Sequence, residues 1–559
     1  GSSFASFMLG AVDSGNLSTG YALGLRYPSH SFFVQDDWKI TPKLTANLGF
    51  RLEVNPSYYD KYDQQSYFDP TLPNPAASGF PGAVRYLGFG TGRENKRTWY
   101  DGQKGYGPRL GLAYQFTKDT VIRAGFGVFH SNYKQFGGND GFAVLPTWSS
   151  TNSGITPAFY WDTGWPYFPS PPYIKPEYNA GGSYPNYYFV DQISRPPMTS
   201  SWNFAVSRSL PANLVVDLTY AGSRGTHLAS NRTNRNPVDP KYAYLGSTLN
   251  KLITDPAVVA LGFKPPFANF STLLGTRATL AQALRPFPQY TSLGGGAWTE
   301  YDGNSTYNAL IAKVTKRFSH GLSVLTSYIW SKTLTDADME LPDVGVGAGI
   351  GFGAAQNSLN KQLEKSYSAL DIPHQFKMAF SYDSPFGKGK SYFQSGPLRY
   401  ILGEWTFSSY TLAQSGFPLG VVDNAYSNYL LQGTPRPDVA SLDWRTPVAG
   451  TGSFDPIANL WLDSSKFIRR TNPAVNPFGN APRLNGASRS ARIIRVHSTL
   501  MRGFTVKEKI KAEFRWEIYD LFNNKVWTVP TLDLSSASFG RVGGASGSRS
   551  MQMALRLIW

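Results

Sequence analysis

Apolar and polar residues alternate along much of this chain. Between 108 and 130 (PRLGLAYQFTKDTVIRAGFGVFH), Leu110, Leu112, Tyr114 and Phe116 alternate with Arg109, Gly111, Ala113 and Gln115. After the polar corner Thr117-Lys118-Asp119, Ile122, Ala124, Phe126 and Val128 alternate with Arg123, Gly125 and Gly127. A period of two places every second side chain on one face of an extended strand, so the segment reads as a hairpin whose two arms each have one apolar face. A similar corner and outgoing strand recur before 44–54, 214–221, 322–331 and 510–522. Over strands at 44–54, 109–116, 122–128, 214–220, 310–318, 510–518 and 551–559, 32 of 33 positions on one face are apolar, Lys316 being the exception, against 5 of 27 on the other. That contrast excludes loops and disorder and predicts a two-faced sheet.

Length decides which face is wet. A soluble sandwich has strands of about five or six residues and short turns at both ends. Here the strands run about nine to thirteen residues, and a tilted strand needs about 9–11 to cross a bilayer. The corners have a few residues, whereas the alternate connections at 55–106, 131–198, 224–305, 334–372 and 416–490 have 52, 68, 82, 39 and 75. Short turns on one side and long loops on the other mark an outer-membrane barrel. The fold class expected is all-β, a transmembrane antiparallel up-and-down β-barrel with long extracellular loops and short periplasmic turns.

Further strands at 31–40, 201–210, 374–383, 404–414 and 491–503, with weaker candidates at 4–12 and 17–27, bring the expected count to about fifteen. Bacterial single-chain barrels have an even number of strands and plugged transporters have 22. An odd count with no leader peptide at Gly1 therefore predicts that 1–559 is one N-terminally incomplete barrel domain, the C-terminal portion of a 22-stranded barrel, with the plug and first strands absent. A short helix is expected within 270–284, from Leu273, Leu274, Leu280 and Leu284; the loop at 55–106 shows only turn signals.

Met551, Met553, Leu555, Leu557 and Trp559 alternate up to an aromatic final residue. Met553, Leu555, Leu557 and Trp559 resemble the C-terminal signal by which the barrel assembly machinery recognises its clients, which places this end and every short corner in the periplasm. Trp38, Phe116, Phe318 and Trp559 then fall at the inner interface, and Trp202, Tyr220 and Trp330 at the outer one, as two aromatic girdles.

Charged residues make up 16% of the chain, against an average of about 25%. The net charge of +16 comes from 53 Lys and Arg against 37 Asp and Glu. The basic residues stand singly along the polar strand face, with no basic run or helix, so they argue for a lumen lining and for outer-membrane lipid and lipopolysaccharide as partners rather than nucleic acid. With no cysteine, thiol catalysis, Cys-based zinc sites and disulfides are excluded. No run of about 18 apolar residues occurs, so no transmembrane helix is expected.

Candidate lumen or plug-facing charges are Arg51, Glu53, Arg109, Arg123, Lys313, Arg317, Lys511, Glu513, Arg515 and Glu517. They either guide a solute and dock a plug, or simply pair across strands on a wetted wall; Lys511-Glu513-Arg515-Glu517 alternates in sign on one face. Candidate substrate-binding residues are the loop aromatics Trp148, Tyr160, Trp161, Trp165, Tyr167, Tyr173 and Tyr184, interleaved with Pro166, Pro169, Pro171, Pro172 and Pro176. Such rings stack on sugars or peptide side chains, or pack on one another to hold the loop. Asp336, Asp338, Glu340 and Asp343 cluster without EF-hand spacing, the six histidines lie far apart, and no Ser stands in a GxSxG context. No metal, cofactor or enzyme activity is expected.

The blocks FFVQDDWKITPKLTANLGFRLE, GPRLGLAYQFTKDTVIRAGFGVFH, SWNFAVSRSLPANLVVDLTYAGSRGTHL, YNALIAKVTKRFSHGLSVLTSYIWSK, DIPHQFKMAFSYDSPFGKGK and AEFRWEIYDLFNN, in this order, resemble the barrel of TonB-dependent outer-membrane receptors of the Oar-like group. The resemblance implies active uptake across the cell outer membrane of a large or scarce solute such as an oligosaccharide, peptide or chelate. It also implies a plug domain and the inner-membrane TonB complex as partners, through the missing N-terminal region. A passive porin-like channel and a structural or adhesive surface barrel are the alternatives.

Overall fold

The structure, a computed structural model, describes residues 3–17, 23–131, 140–142, 147–152, 155–166, 173–184, 195–230, 234–293, 300–337, 355–507 and 510–558. Its centre is a 14-stranded antiparallel sheet in which thirteen long strands neighbour one another in chain order. They are β1 (His30–Thr41), β2 (Leu44–Asn55), β3 (Gln103–Thr117), β4 (Thr120–His130), β5 (Met198–Leu210), β6 (Leu214–Ser230), β7 (Glu300–Ser319), β8 (Leu322–Thr335), β9 (His374–Asp383), β10 (Trp405–Gln414), β11 (Ile493–Lys507), β12 (Ile510–Tyr519) and β13 (Ser550–Ile558). The remaining strand, Ser366–Tyr367, pairs with Leu334 and Thr335 at the outer end of β8. Among the described residues β1 and β13 end the path, each bonded to one neighbour.

The register keeps the two faces separate across the sheet. Phe204, Tyr220, Leu310 and Trp330 stand opposite one another in one row, and Ser207, Asp217, Lys313 and Ser327 in another. Tight corners hold this register: His320 and Gly321 between β7 and β8 both have positive φ, 51° and 77°, as the primed hairpin turns require. A Cβ on Gly321 would lie 2.8 Å from the Asp383 carbonyl oxygen.

Among the described residues no protein layer covers the apolar face. Phe32, Trp38, Phe116, Phe204, Leu218, Phe318, Met553 and Leu555 are 48–67% exposed. In water such a face would be a large aggregation surface; against acyl chains it is the solvated one. Trp38, Phe116 and Phe318 stand at the short-turn end, and Trp202, Tyr220 and Trp330 towards the long-loop end; Trp559 lies outside the described residues.

The N-terminal expectation is corrected. Residues 4–12 are not a wall strand: Ser3–Met8 is a helix and Ala11–Val12 a two-residue strand bound to Phe159 and Tyr160. Of 17–27, residues 18–22 lie outside the described residues; in the described part Leu25–Arg26 is extended, paired with Tyr59 and Asp60. Among the described residues the wall has thirteen long strands, and 4–12 adds none because its weak alternation is used up in contacts with an outer loop.

Those loops are folded. The ribbon Ser66–Pro73 and Pro81–Tyr86 occupies the segment expected to hold only turns. The expected helix is split into Phe270–Leu274 and Leu280–Ala283 around Gly275, whose φ is 56°. The chain's buried apolar clusters lie here. One joins Trp444, Trp461, Leu462 and Phe467 to Leu419 and Leu532; another joins Phe270, Leu274 and Leu280 to Ala77 and Leu430. The long connections therefore form an outer cap with cores of its own.

Candidate functional site

The polar face of the wall carries the charges expected there, in separate groups. On β2, Arg51 donates to Glu53 (2.6 Å) and to the Ser31 hydroxyl of β1 (2.9 Å). On β4, Arg123 donates to Ser207 (3.0 Å), which in turn bonds Asp217. Lys313 stands opposite that Asp217 in the register of β6 and β7. Arg317 sits at the inner corner, its backbone N–H bonded to the Asn213 carbonyl. On β12, Arg515 lies 2.8 Å from Glu513 and 3.5 Å from Glu517, and Glu517 also accepts from Tyr519 (3.0 Å) and Gln552. Lys511 continues that face towards the inner end, opposite Ile558. The ion pairs run along single strands, as in Arg51–Glu53 and Arg515–Glu513, while hydrogen bonds such as Arg123–Ser207 cross between neighbours, and the ten charges do not converge on one point.

Arg109 is the exception in its surroundings. Its register neighbours are Gly49 and Gly127, and the adjacent row holds Asn47, Gly111, Gly125 and Asn203. Without side chains at the glycines, a groove of about 380 Å³ opens beside Arg109, whose guanidinium lies 5.0 Å over the Phe129 ring. The sequence signal was present, since Gly49, Gly107, Gly111, Gly125 and Gly127 all fall on polar-face positions; small residues there leave a strand face open where a longer side chain would close it.

The expected capture aromatics divide. Trp165 packs against Trp148 (centroids 5.0 Å), Phe159 (5.1 Å) and Trp161 (5.9 Å), and Gly15 lies under it, a Cβ there falling 3.4 Å from the indole. Trp148 and Trp165 are half-buried in this cluster, with much of each ring against its neighbours. Tyr160 and Trp161, 46% and 56% exposed, are the rings left on the surface. Tyr173 stands apart, its N–H bonded to Gly141. Tyr184 pairs through its backbone with Leu293; Tyr167 lies outside the described residues.

Of the acidic cluster, only Asp336 is described, and it accepts hydrogen bonds from Asn304 (2.5 and 3.4 Å). No group of three potential metal ligands occurs among the described residues.

Sequence reasoning missed the buried ion pairs that tie the cap together. Arg436 donates to Glu364 at 3.1 and 3.3 Å, both side chains almost fully buried, and Arg483 bonds the carbonyls of Glu364 (2.9 Å) and Thr335 (2.8 Å). Burial pushes the Arg436 guanidinium below its ordinary value and the facing Glu364 opposes the shift. Isolated charges scattered through loops give no periodic signal.

Residues 1–552 match the family described as outer membrane beta barrel domain. No curated protein matches the chain. Among solved structures, it is similar to the ferric citrate transporter FecA in its unliganded form, at 10% identity over 97% of this chain and 46% of that one, with a TM-score of 0.39. It is also similar to the siderophore receptor PiuA from Acinetobacter baumannii (9% identity, 96% and 43% coverage, TM-score 0.38) and the ferric yersiniabactin uptake receptor FyuA from Yersinia pestis (8%, 98% and 46%, 0.38). The chain spans less than half the length of each of these structures.

Proposed function

The chain belongs to the outer membrane beta barrel domain family, and on that premise we propose that it is the wall of a TonB-dependent receptor of the Oar-like group, importing a solute too large or too scarce for a passive pore. The family places it in the outer membrane, with the exposed apolar face against lipid.

The observation that carries the reading is the folded cap. A pore for small solutes needs an open mouth, whereas the long connections here bury Trp444, Trp461, Phe270 and Tyr290 in cores of their own. Such a cap is built to hold a shape, which is what specific capture needs. In this reading Tyr160 and Trp161 offer rigid aromatic faces to an oligosaccharide, peptide or chelate. A plug docks against the wet wall at the Glu513, Arg515 and Glu517 ladder and beside Arg109, and TonB pulling on that plug opens the path. Met553, Leu555, Leu557 and Trp559 serve as the assembly signal.

The test is uptake by cells. Deleting the gene and deleting the energy-coupling TonB protein should each abolish accumulation of the same labelled solute. Uptake that persists without TonB, together with steady conductance of the purified barrel in a planar bilayer, would establish a passive channel instead.

A further inference from the structure

The lipid-facing side of β5 to β8 changes character at its outer end. The row Phe204, Tyr220, Leu310 and Trp330 is apolar. One row further out stand Trp202, Gly222, Asn308 and Lys332, and one beyond that Ser200, Arg224, Thr306 and Leu334. Two cations thus appear on the same face as the lipid-exposed residues, Lys332 level with Trp202 and Arg224 one row beyond it. The turn Lys361–Glu364 brings two more beside them, Lys361 and Lys365.

Arg224, Lys361 and Lys365 line a groove of about 990 Å³ with Trp202, Asp302 and Asp336, and Lys332 stands at its margin with its ammonium 5.1 Å over the Tyr367 ring. Both carboxylates are engaged: Asp302 pairs with Lys361, and Asp336 accepts from Asn304. Arg224 and Lys365 form no ion pair among the described residues and are exposed. The groove therefore presents unmatched positive charge. Cations on a lipid-facing surface are tolerated at headgroup level, beside an aromatic belt, where they meet anionic headgroups. Arginine and lysine are the side chains that bind phosphate, the first through a forked pair of donors and the second as a point charge.

We propose that this groove binds the phosphorylated sugar headgroup of an outer-leaflet glycolipid. Arg224 and Lys365 take the phosphate, Lys332 flanks it, and the acyl chains run down the apolar face over Leu310 and Leu218. The inference rests on the family's placement in the outer membrane and on the long-loop end facing outward, and it is independent of what the barrel transports.

The test uses the full-length receptor extracted in mild detergent and examined by native mass spectrometry. Bisphosphorylated lipid A, its dephosphorylated form and inorganic phosphate are offered separately. The unaltered protein should retain bisphosphorylated lipid A at least tenfold better than the dephosphorylated lipid, and millimolar phosphate should not displace it. The triple variant Arg224→Ser, Lys332→Ser, Lys365→Ser should lose that preference, whereas Lys241→Ser, Lys251→Ser, Lys264→Ser, which removes as many exposed charges from an outer loop, should keep it. Folding of each variant is read from heat-modifiable gel mobility; should the triple variant not fold, Lys365→Ser alone, on an exposed turn, should lower retention severalfold. Equal retention of the two lipids, an unaltered preference in a folded variant, or displacement by phosphate alone would overturn the assignment.

Discussion

Arg489 Nη2 lies 2.5 Å from the Oδ2 of Asp371, a carboxylate with no exposed surface. Arg489 also bonds the Asp371 and Gly416 carbonyls at 2.8 and 3.1 Å, while Asp371 accepts from the Thr333 N–H of β8 at 2.6 Å. One pair thus fastens two outer loops to the wall. Removing one member of a buried pair leaves an uncompensated charge, which costs about 3–5 kcal/mol. Arg489→Ala is expected to open the cap to trypsin within 415–492 while the wall keeps its heat-modifiable mobility. Unchanged digestion would show that the pair does not fasten the cap.

The lipid-facing assignment predicts an asymmetry within one strand. Leu218→Arg puts a charge among acyl chains and should lower folding stability in bilayers by about 2–4 kcal/mol. Thr219→Arg points the other way, to the wet face beside Ala205 and Ile311, and should change stability by less than about 0.5 kcal/mol. Denaturant titrations of both variants in lipid vesicles measure the difference; equal losses would contradict the assignment.

Gly222 is constrained by its neighbour across the strand pair. A Cβ there would lie 2.5 Å from Cε2 and Nε1 of the Trp202 indole. Gly222→Val should displace that ring from the wall, costing about 1–3 kcal/mol as overpacking does. Quenching of tryptophan emission by brominated lipids reports whether Trp202 has moved.

The ribbon Ser66–Pro73 and Pro81–Tyr86 is held by Arg85, 2.5 Å from Asp69 and 2.8 Å from Glu94. Burial alone would raise the Asp69 carboxyl, but hydrogen bonds from Thr71 and Arg85 outweigh it and hold the group below its ordinary value. A depressed carboxylate contributes stability that is present above its unfolded value of about 3.9 and lost as pH falls through the lower folded value. Protection of the ribbon amides, taken relative to the intrinsic exchange rate at each pH, should therefore be high at neutral pH and fall below about pH 4, a step that Asp69→Asn should remove.

The aromatic cluster separates support from contact. Trp165→Ala removes the ring that Trp148, Phe159 and Trp161 share and should loosen the loop, seen as faster proteolysis near 148–166. Trp161→Ala, at the exposed rim, should leave proteolysis unchanged and weaken solute binding by about tenfold, a loss of about 1.4 kcal/mol. Full binding by a Tyr160→Ala, Trp161→Ala double variant would remove these rings from the capture surface.

Much of the wall was legible in the order of residues. Leu110 to Phe116 and Ile122 to Val128 alternate so regularly that the strands and their two faces follow from a period of two. The closing run at 551–558 is equally plain. The weak run at 4–12 misled because short alternation does not say what an edge pairs with; Ala11 and Val12 pair with Tyr160 and Phe159 instead.

The candidate site was only half legible. Its charged residues lie on the polar strand face, but their division into separate groups, and the groove beside Arg109, depend on which strands are neighbours. The contact of Ala77 with Phe270 and Leu430, the stacking around Trp165 and the pairs Arg436–Glu364 and Arg489–Asp371 join positions tens to hundreds of residues apart. The sequence by itself determined the strands and the oily face, because each strand's pattern is local and repeats every two residues. Only the tertiary structure decided the cap, because loop side chains carry no period and find their partners only after the wall has brought the loop ends together.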